Sequence, residues 1–86
     1  MKRYSIVYSK DFQKLFKKLD PSVQRLVAAY IKHNLEGTYD PRSRGNALTG
    51  DKKGLWRYRI AYYRLIVEIR DDVLVILILT FGHRSK

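Results

Sequence analysis

Leu55-Trp56-Arg57-Tyr58-Arg59-Ile60-Ala61-Tyr62-Tyr63-Arg64-Leu65-Ile66-Val67-Glu68-Ile69 is the stretch that decides the fold. Bulky aromatic and aliphatic residues alternate with arginines, the period of a strand that buries one face only. Successive side chains of a strand point to opposite sides, which puts Trp56, Tyr58 and Ile60 on one face and Arg57 and Arg59 on the other. Arg64 follows five residues after Arg59. A tight reversal near Ala61 and Tyr62 would bring it onto the same surface. Guanidiniums gathered on a rigid sheet form forked, permanently charged phosphate ligands.

Outward from this hairpin, Leu55 to Ile60 and Tyr63 to Arg70 read as two strands, and Val73 to Phe81 as a third after an Asp71-Asp72 turn. Short connections make these neighbours antiparallel. The third is apolar on both faces, with Val73, Val75, Leu77 and Leu79 opposite Leu74, Ile76 and Ile78, so it belongs inside the sheet. At the other end, Tyr4 to Tyr8 alternates as a first strand. Ser9 fits an N-cap and Asp11 the first turn of a helix. Phe12, Leu15, Phe16 and Leu19 then recur at helical spacing, opposite Lys10, Lys14, Lys17 and Lys18. Asp20-Pro21 opens a second helix carrying Val23, Leu26, Val27, Tyr30, Ile31 and Asn34, and Gly37 closes it. Thr38 to Lys53 is turn chemistry with a basic bias, in which Ala47-Leu48 is either a short strand or a contact tucked onto the core. The expectation is one α+β domain over residues 1–86, an N-terminal strand and helical hairpin packed on a mainly antiparallel four-stranded sheet.

A chain of 86 residues supports one modest core, and 45% apolar residues with seven tyrosines are enough to build it. Eighteen lysines and arginines against eight acids give a formal charge of +10, which attracts polyanions and makes their binding weaken with salt. The absence of cysteine excludes disulfides, thiolate catalysis and cysteine-ligated zinc, and fits a reducing, cytoplasmic setting. Met1-Lys2-Arg3 leads into an alternating segment rather than the apolar core of a signal peptide. The longest apolar run, Val73 to Leu79, is far short of the roughly 20 residues that span a bilayer. Neither a membrane nor a cofactor is expected, and no metal: Asp71 and Asp72 fall in a turn and Glu68 is isolated.

Strand, helical hairpin, basic loop, Trp56-Arg57-Tyr58-Arg59-Ile60, Tyr63-Arg64-Leu65-Ile66 and Gly82-His83-Arg84, in that order, resemble the RelE/ParE superfamily of bacterial and archaeal toxins, closest to its RelE branch. The likeness covers nearly the whole chain. It implies the RelE-like version of the fold above, a toxin of a type II toxin–antitoxin system, and ribosome-dependent cleavage of mRNA in the A site. The basic residues of the family's central strand match Arg57 and Arg59; the arginine of its Tyr-Arg motif matches Arg64; the arginine after its C-terminal glycine matches Arg84. His83 stands where some members use a histidine. Where many relatives have a glycine and a small or acidic residue before the Tyr-Arg pair, this chain has Ala61-Tyr62. The implied partners are a cognate acidic antitoxin, mRNA on the ribosome and rRNA, with DNA reached only through a toxin–antitoxin complex.

A metal-free ribonuclease of this kind lets the substrate's 2′-OH attack the neighbouring phosphate. It needs cations around that phosphate and groups that move protons. Arg57, Arg59 and Arg64 suit the first task. His83 is the proton-transfer candidate on this side of the chain, and Arg84 can hold phosphate or leaving oxygen. Lys52 and Lys53 in the basic loop extend the RNA-binding surface. Each feature also has a plainer use: the arginines as a solvated sheet face, His83 as a surface residue, Trp56, Tyr58 and Tyr63 as core rather than base-stacking groups, the helix lysines as a wet face. Two other functions fit the same chain, a ParE-like inhibitor of DNA gyrase and a basic nucleic-acid- or antitoxin-binding module without catalysis.

Overall fold

The structure, a computed structural model, describes residues 2–83. Its sheet contains β1 (Ser5–Tyr8), β2 (Asn46–Ala47), β3 (Trp56–Ile60), β4 (Tyr63–Arg70) and β5 (Val75–His83), in the order β1-β5-β4-β3-β2. β1 lies parallel to β5 and the other pairings are antiparallel. The sheet thus has five strands rather than the four expected. The extra one is the two-residue β2, which pairs Asn46 and Ala47 with Arg57 and Trp56. It sits one position earlier than the Ala47-Leu48 pair that the sequence suggested. β5 is flanked on both sides, as its two-faced apolar character requires.

β5 starts and ends two residues later than its hydrophobicity implied. Asp71 to Leu74 form the turn, Val73 is exposed, and Leu74 takes a left-handed φ of 55°. The strand also slips. Val67 pairs with Ile78 but Ile66 with Thr80, so Leu79 is an inserted residue, a bulge. Ile76 and Ile78 are buried on the helix side, and the bulge lets Phe81 join them there.

Helix α1 (Lys10–Lys17) begins where Ser9 accepts a hydrogen bond from the Phe12 N–H at 3.0 Å. Helix α2 (Pro21–Tyr30) begins at Asp20, whose side chain makes no capping bond; Pro21 at the first helical position limits the loss. After Tyr30 the helix widens into a π-helical turn (Ile31–Leu35), in which the Glu36 N–H reaches the Ile31 carbonyl at 2.8 Å. Gly37, with φ 73°, then reverses the chain, and its N–H bonds the Tyr4 carbonyl.

One face of the sheet supplies Tyr58, Ile60, Leu65, Val67, Ile76, Ile78 and Phe81 to the core, and the helical segments add Phe12, Val27, Ile31 and Leu35. α1 packs on β5 and α2 on β3. The hairpin is therefore open: a groove of about 300 Å³ lies between its arms, lined by Tyr8, Phe12, Phe16, Ala28 and Ile31 with Gln13 and Lys17. Leu26, read from the sequence as part of the buried stripe, is exposed on the second arm. No described helix is long and apolar enough to cross a membrane.

Candidate phosphate and nucleic-acid site

Arg57, Arg59 and Arg64 lie on the sheet face away from the helices, because their strand partners in alternation, Tyr58, Ile60 and Leu65, are buried. The β3–β4 register sets Arg59 directly opposite Arg64 and Arg57 opposite Ile66. Like charges directly opposed across two strands repel each other. With Tyr63, these arginines line a cavity of about 210 Å³.

The hairpin that brings Arg64 back beside Arg59 turns through Ala61 and Tyr62. Ala61 has a φ of 54°, a conformation that favours glycine. The departure from the family's glycine noted in the sequence thus falls on a backbone position where a glycine would be at ease.

Behind β3, a strap of loop fixes the strand that carries Arg57. Gly45 has φ 82°, and a Cβ there would lie 2.3 Å from the Arg57 carbonyl oxygen and 2.7 Å from Trp56 Nε1. The Trp56 indole N–H donates to the Arg44 carbonyl at 2.7 Å, and the Tyr58 hydroxyl donates to the Pro41 carbonyl. Burial of the Tyr58 phenol pushes its pKa upward. The start of the strap is clasped by Arg42, whose guanidinium donates two bonds of 3.0 Å to the Asp71 carboxylate, on which the Tyr4 hydroxyl also converges. The Arg42 hydrogen bonds, and then that from Tyr4, hold the Asp71 carboxyl below its ordinary pKa. None of this was legible beforehand beyond the turn chemistry of the loop.

A larger cavity of about 330 Å³ adjoins the first, with Arg64 lining both. Its walls include Leu48, Ile66, Thr80 and Gly82, with Lys52 and His83. Lys52 is thus brought to the site, while Lys53 is exposed and lines neither cavity. His83 pairs with Tyr63 across the sheet and meets its ring edge-on, centroids 5.4 Å apart. Arg84 lies outside the described residues. Leu48 and Thr80 escaped sequence reasoning as site residues, and Tyr63, weighed there as core against base stacking, lines the smaller cavity. Thr80 did leave a signal, a lone hydroxyl after the aliphatic run Val75 to Leu79. Among the described residues, no group of three His, Cys, Asp or Glu side chains could hold a metal ion.

The family described as ParE toxin of type II toxin-antitoxin system, parDE, matches residues 6–86 of the chain. No curated protein matches it by sequence. Among solved structures, the chain is similar to the RelBE2 toxin–antitoxin complex of Mycobacterium tuberculosis, with 24% identity and a TM-score of 0.85 over 95% of this chain and 99% of that one. It is also similar to the archaeal RelE–RelB complex of Pyrococcus horikoshii, with 23% identity and a TM-score of 0.68 over 98% of each chain. The YoeB/ParE toxin of Agrobacterium tumefaciens shares 15% identity and a TM-score of 0.69, over 93% of this chain and 98% of that one. At these identities the likenesses establish the shared fold.

Proposed function

The chain belongs to the ParE toxin family of type II toxin–antitoxin systems, within the RelE/ParE superfamily, and from that premise we propose that it is an endoribonuclease toxin that cuts mRNA in the ribosomal A site. The observation that supports this reading is the direct opposition of Arg59 and Arg64, with Arg57 alongside, around one cavity. Three guanidiniums brought together around one cavity suit an anion, and a phosphodiester fits their fork geometry. In the proposed step the 2′-oxygen bonds to phosphorus as the bond from phosphorus to the 5′-oxygen breaks. The products are a 2′,3′-cyclic phosphate and a 5′-OH, with one proton leaving the 2′-OH and one reaching the departing oxygen. The arginines stabilise the charge that builds on the non-bridging oxygens. His83, at the rim of the adjoining cavity, is the candidate for one proton transfer, and Arg84 for contact with phosphate or leaving oxygen. The chemistry proposed calls on no metal ion.

A formal charge of +10 supports steering toward rRNA and mRNA. It also supports silencing by an acidic antitoxin, and the similar structure from M. tuberculosis is described as a toxin–antitoxin complex and that from P. horikoshii as a RelE–RelB complex. The apolar groove between the helices, with Lys17 on its wall, suits an amphipathic acidic segment.

A second reading is a ParE-like poison of DNA gyrase, for which the match to a family described as ParE toxin is the support. Purified protein incubated with programmed ribosomes, and separately with gyrase and supercoiled DNA, separates the two. Codon-phased mRNA cuts that appear only with ribosomes and vanish in Arg59→Ala and Arg64→Ala variants are expected. Gyrase-dependent DNA breaks without mRNA cleavage would overturn the nuclease reading.

A further inference from the structure

The two cavities on the arginine side of the sheet differ in chemistry while sharing Arg64. The smaller is lined by the guanidiniums of Arg57, Arg59 and Arg64, a chemistry that suits a phosphate. The larger has aliphatic walls from Leu48 and Ile66 and the hydroxyl-bearing Thr80, and Gly82 contributes no side chain to fill it. At about 330 Å³ it stands at the lower end of the roughly 300–1,000 Å³ range of small-molecule sites. Ile66 and Thr80 are direct partners across β4 and β5, so one wall is sheet, while Leu48 and Lys52 close the other side from the loop after β2. A phosphate pocket joined through one arginine to a mostly apolar slot is the outline of a nucleotide.

The geometry points to a nucleotide subsite in which a nucleoside 3′-phosphate places its phosphate among Arg57, Arg59 and Arg64 and its base in the slot bounded by Leu48, Ile66 and Thr80. This rests on the nuclease reading and deepens it by assigning the base beside the gripped phosphate to named residues. The slot grips the base by its faces, and the Thr80 hydroxyl, which both donates and accepts, meets any base edge. The four bases therefore differ by less than about tenfold, while the presence of a base adds at least tenfold to phosphate binding, a gain of about 1.4 kcal/mol.

The test is an NMR titration of the chain with inorganic phosphate and with each of the four ribonucleoside 3′-monophosphates, repeated on Leu48→Ala and on Thr80→Trp, which fills the slot from an exposed strand position. Every nucleotide should bind at least tenfold more tightly than phosphate. Both variants should bring nucleotides down toward the level of phosphate and leave phosphate binding unchanged. Phosphate binding without a gain from the base, or a gain that persists in Thr80→Trp, overturns the subsite alone. Failure of phosphate to bind, or binding unaffected by Arg59→Ala, overturns the subsite together with the reading of the arginine cluster.

Discussion

Replacing Arg59 with glutamine should make the protein more stable and less active. Arg59 is exposed and stands directly across from Arg64, with Arg57 two residues along the same face. Like charges directly opposed in a sheet cost about 0.2–1 kcal/mol. Solvent screens this pair only in part, since Arg64 is half-buried, so relief of about 0.5 kcal/mol is expected at low salt. For a domain of this size that corresponds to a rise in Tm of roughly 2–4 °C. In 1 M salt the screening length falls to about 3 Å and the gain should vanish. Loss of one transition-state donor should lower mRNA cleavage on programmed ribosomes by about 100-fold or more. Thermal melts of both proteins at about 50 mM and 1 M salt, beside the cleavage assay, provide the readout. Destabilisation on removing Arg59, or a stability change indifferent to salt, would mean that the guanidinium belongs to the scaffold. Cleavage at the native rate would remove it from the site.

Gly45→Ala should cost more than about 2 kcal/mol in urea unfolding: the left-handed φ alone costs an alanine about 1–2 kcal/mol, and the new Cβ would lie 2.3 Å from the Arg57 carbonyl oxygen. Tyr58→Phe removes the donor to the Pro41 carbonyl, with an expected loss of about 1 kcal/mol in urea melts. The raised pKa of Tyr58 also fixes the sign of a pH effect. The unfolded chain ionises first, so its contribution is whole below about pH 10 and falls as pH rises above it. Alkaline melts of Tyr58→Phe should accordingly decline less steeply than those of the parent. Asp71→Asn should cost about 0.5 kcal/mol at neutral pH, because the Arg42 pair is exposed and screened. With its carboxyl pKa depressed, that difference is present above about pH 4 and should close as pH falls below it.

The alternation of Trp56 to Ile60 with Tyr63 to Arg70 was enough to reveal the hairpin, its two faces and the convergence of Arg57, Arg59 and Arg64. These follow from a period of two and a short turn, both local. β2 could not be read with the same certainty, since Asn46 and Ala47 have no strand character of their own and are held there by Gly45, Trp56 and Tyr58. The π-helical turn was hidden because Ile31 and Leu35 keep helical spacing whether the ring closes at four residues or five. Nor could the Arg42–Asp71 clasp be anticipated, as its partners are 29 positions apart and neither lies in a periodic element. What was legible is what propensity and alternation dictate; what was not depends on one segment meeting another.

The bulge at Leu79 joins the two kinds of information, and it yields a prediction that separates site from scaffold. Had the pairing of Val67 with Ile78 continued in step, Phe81 would stand opposite Arg64 on the open face and Thr80 opposite Leu65 in the core. The inserted residue reverses both placements: Phe81 packs across from Leu65, and Gly82 comes opposite Arg64. Among the described residues, a Cβ built on Gly82 meets no atom within 4 Å, so the bulge takes an aromatic wall away from the flank of Arg64. Gly82→Val should therefore fold as well as the parent or better, since valine suits a strand by up to about 1 kcal/mol, yet it should narrow the slot beside Arg64. The expected result is an unchanged or raised urea midpoint with mRNA cleavage reduced at least tenfold. A variant that cleaves normally would show that the space next to Arg64 serves no substrate. One that unfolds would show that glycine is there for the strand and not for the site.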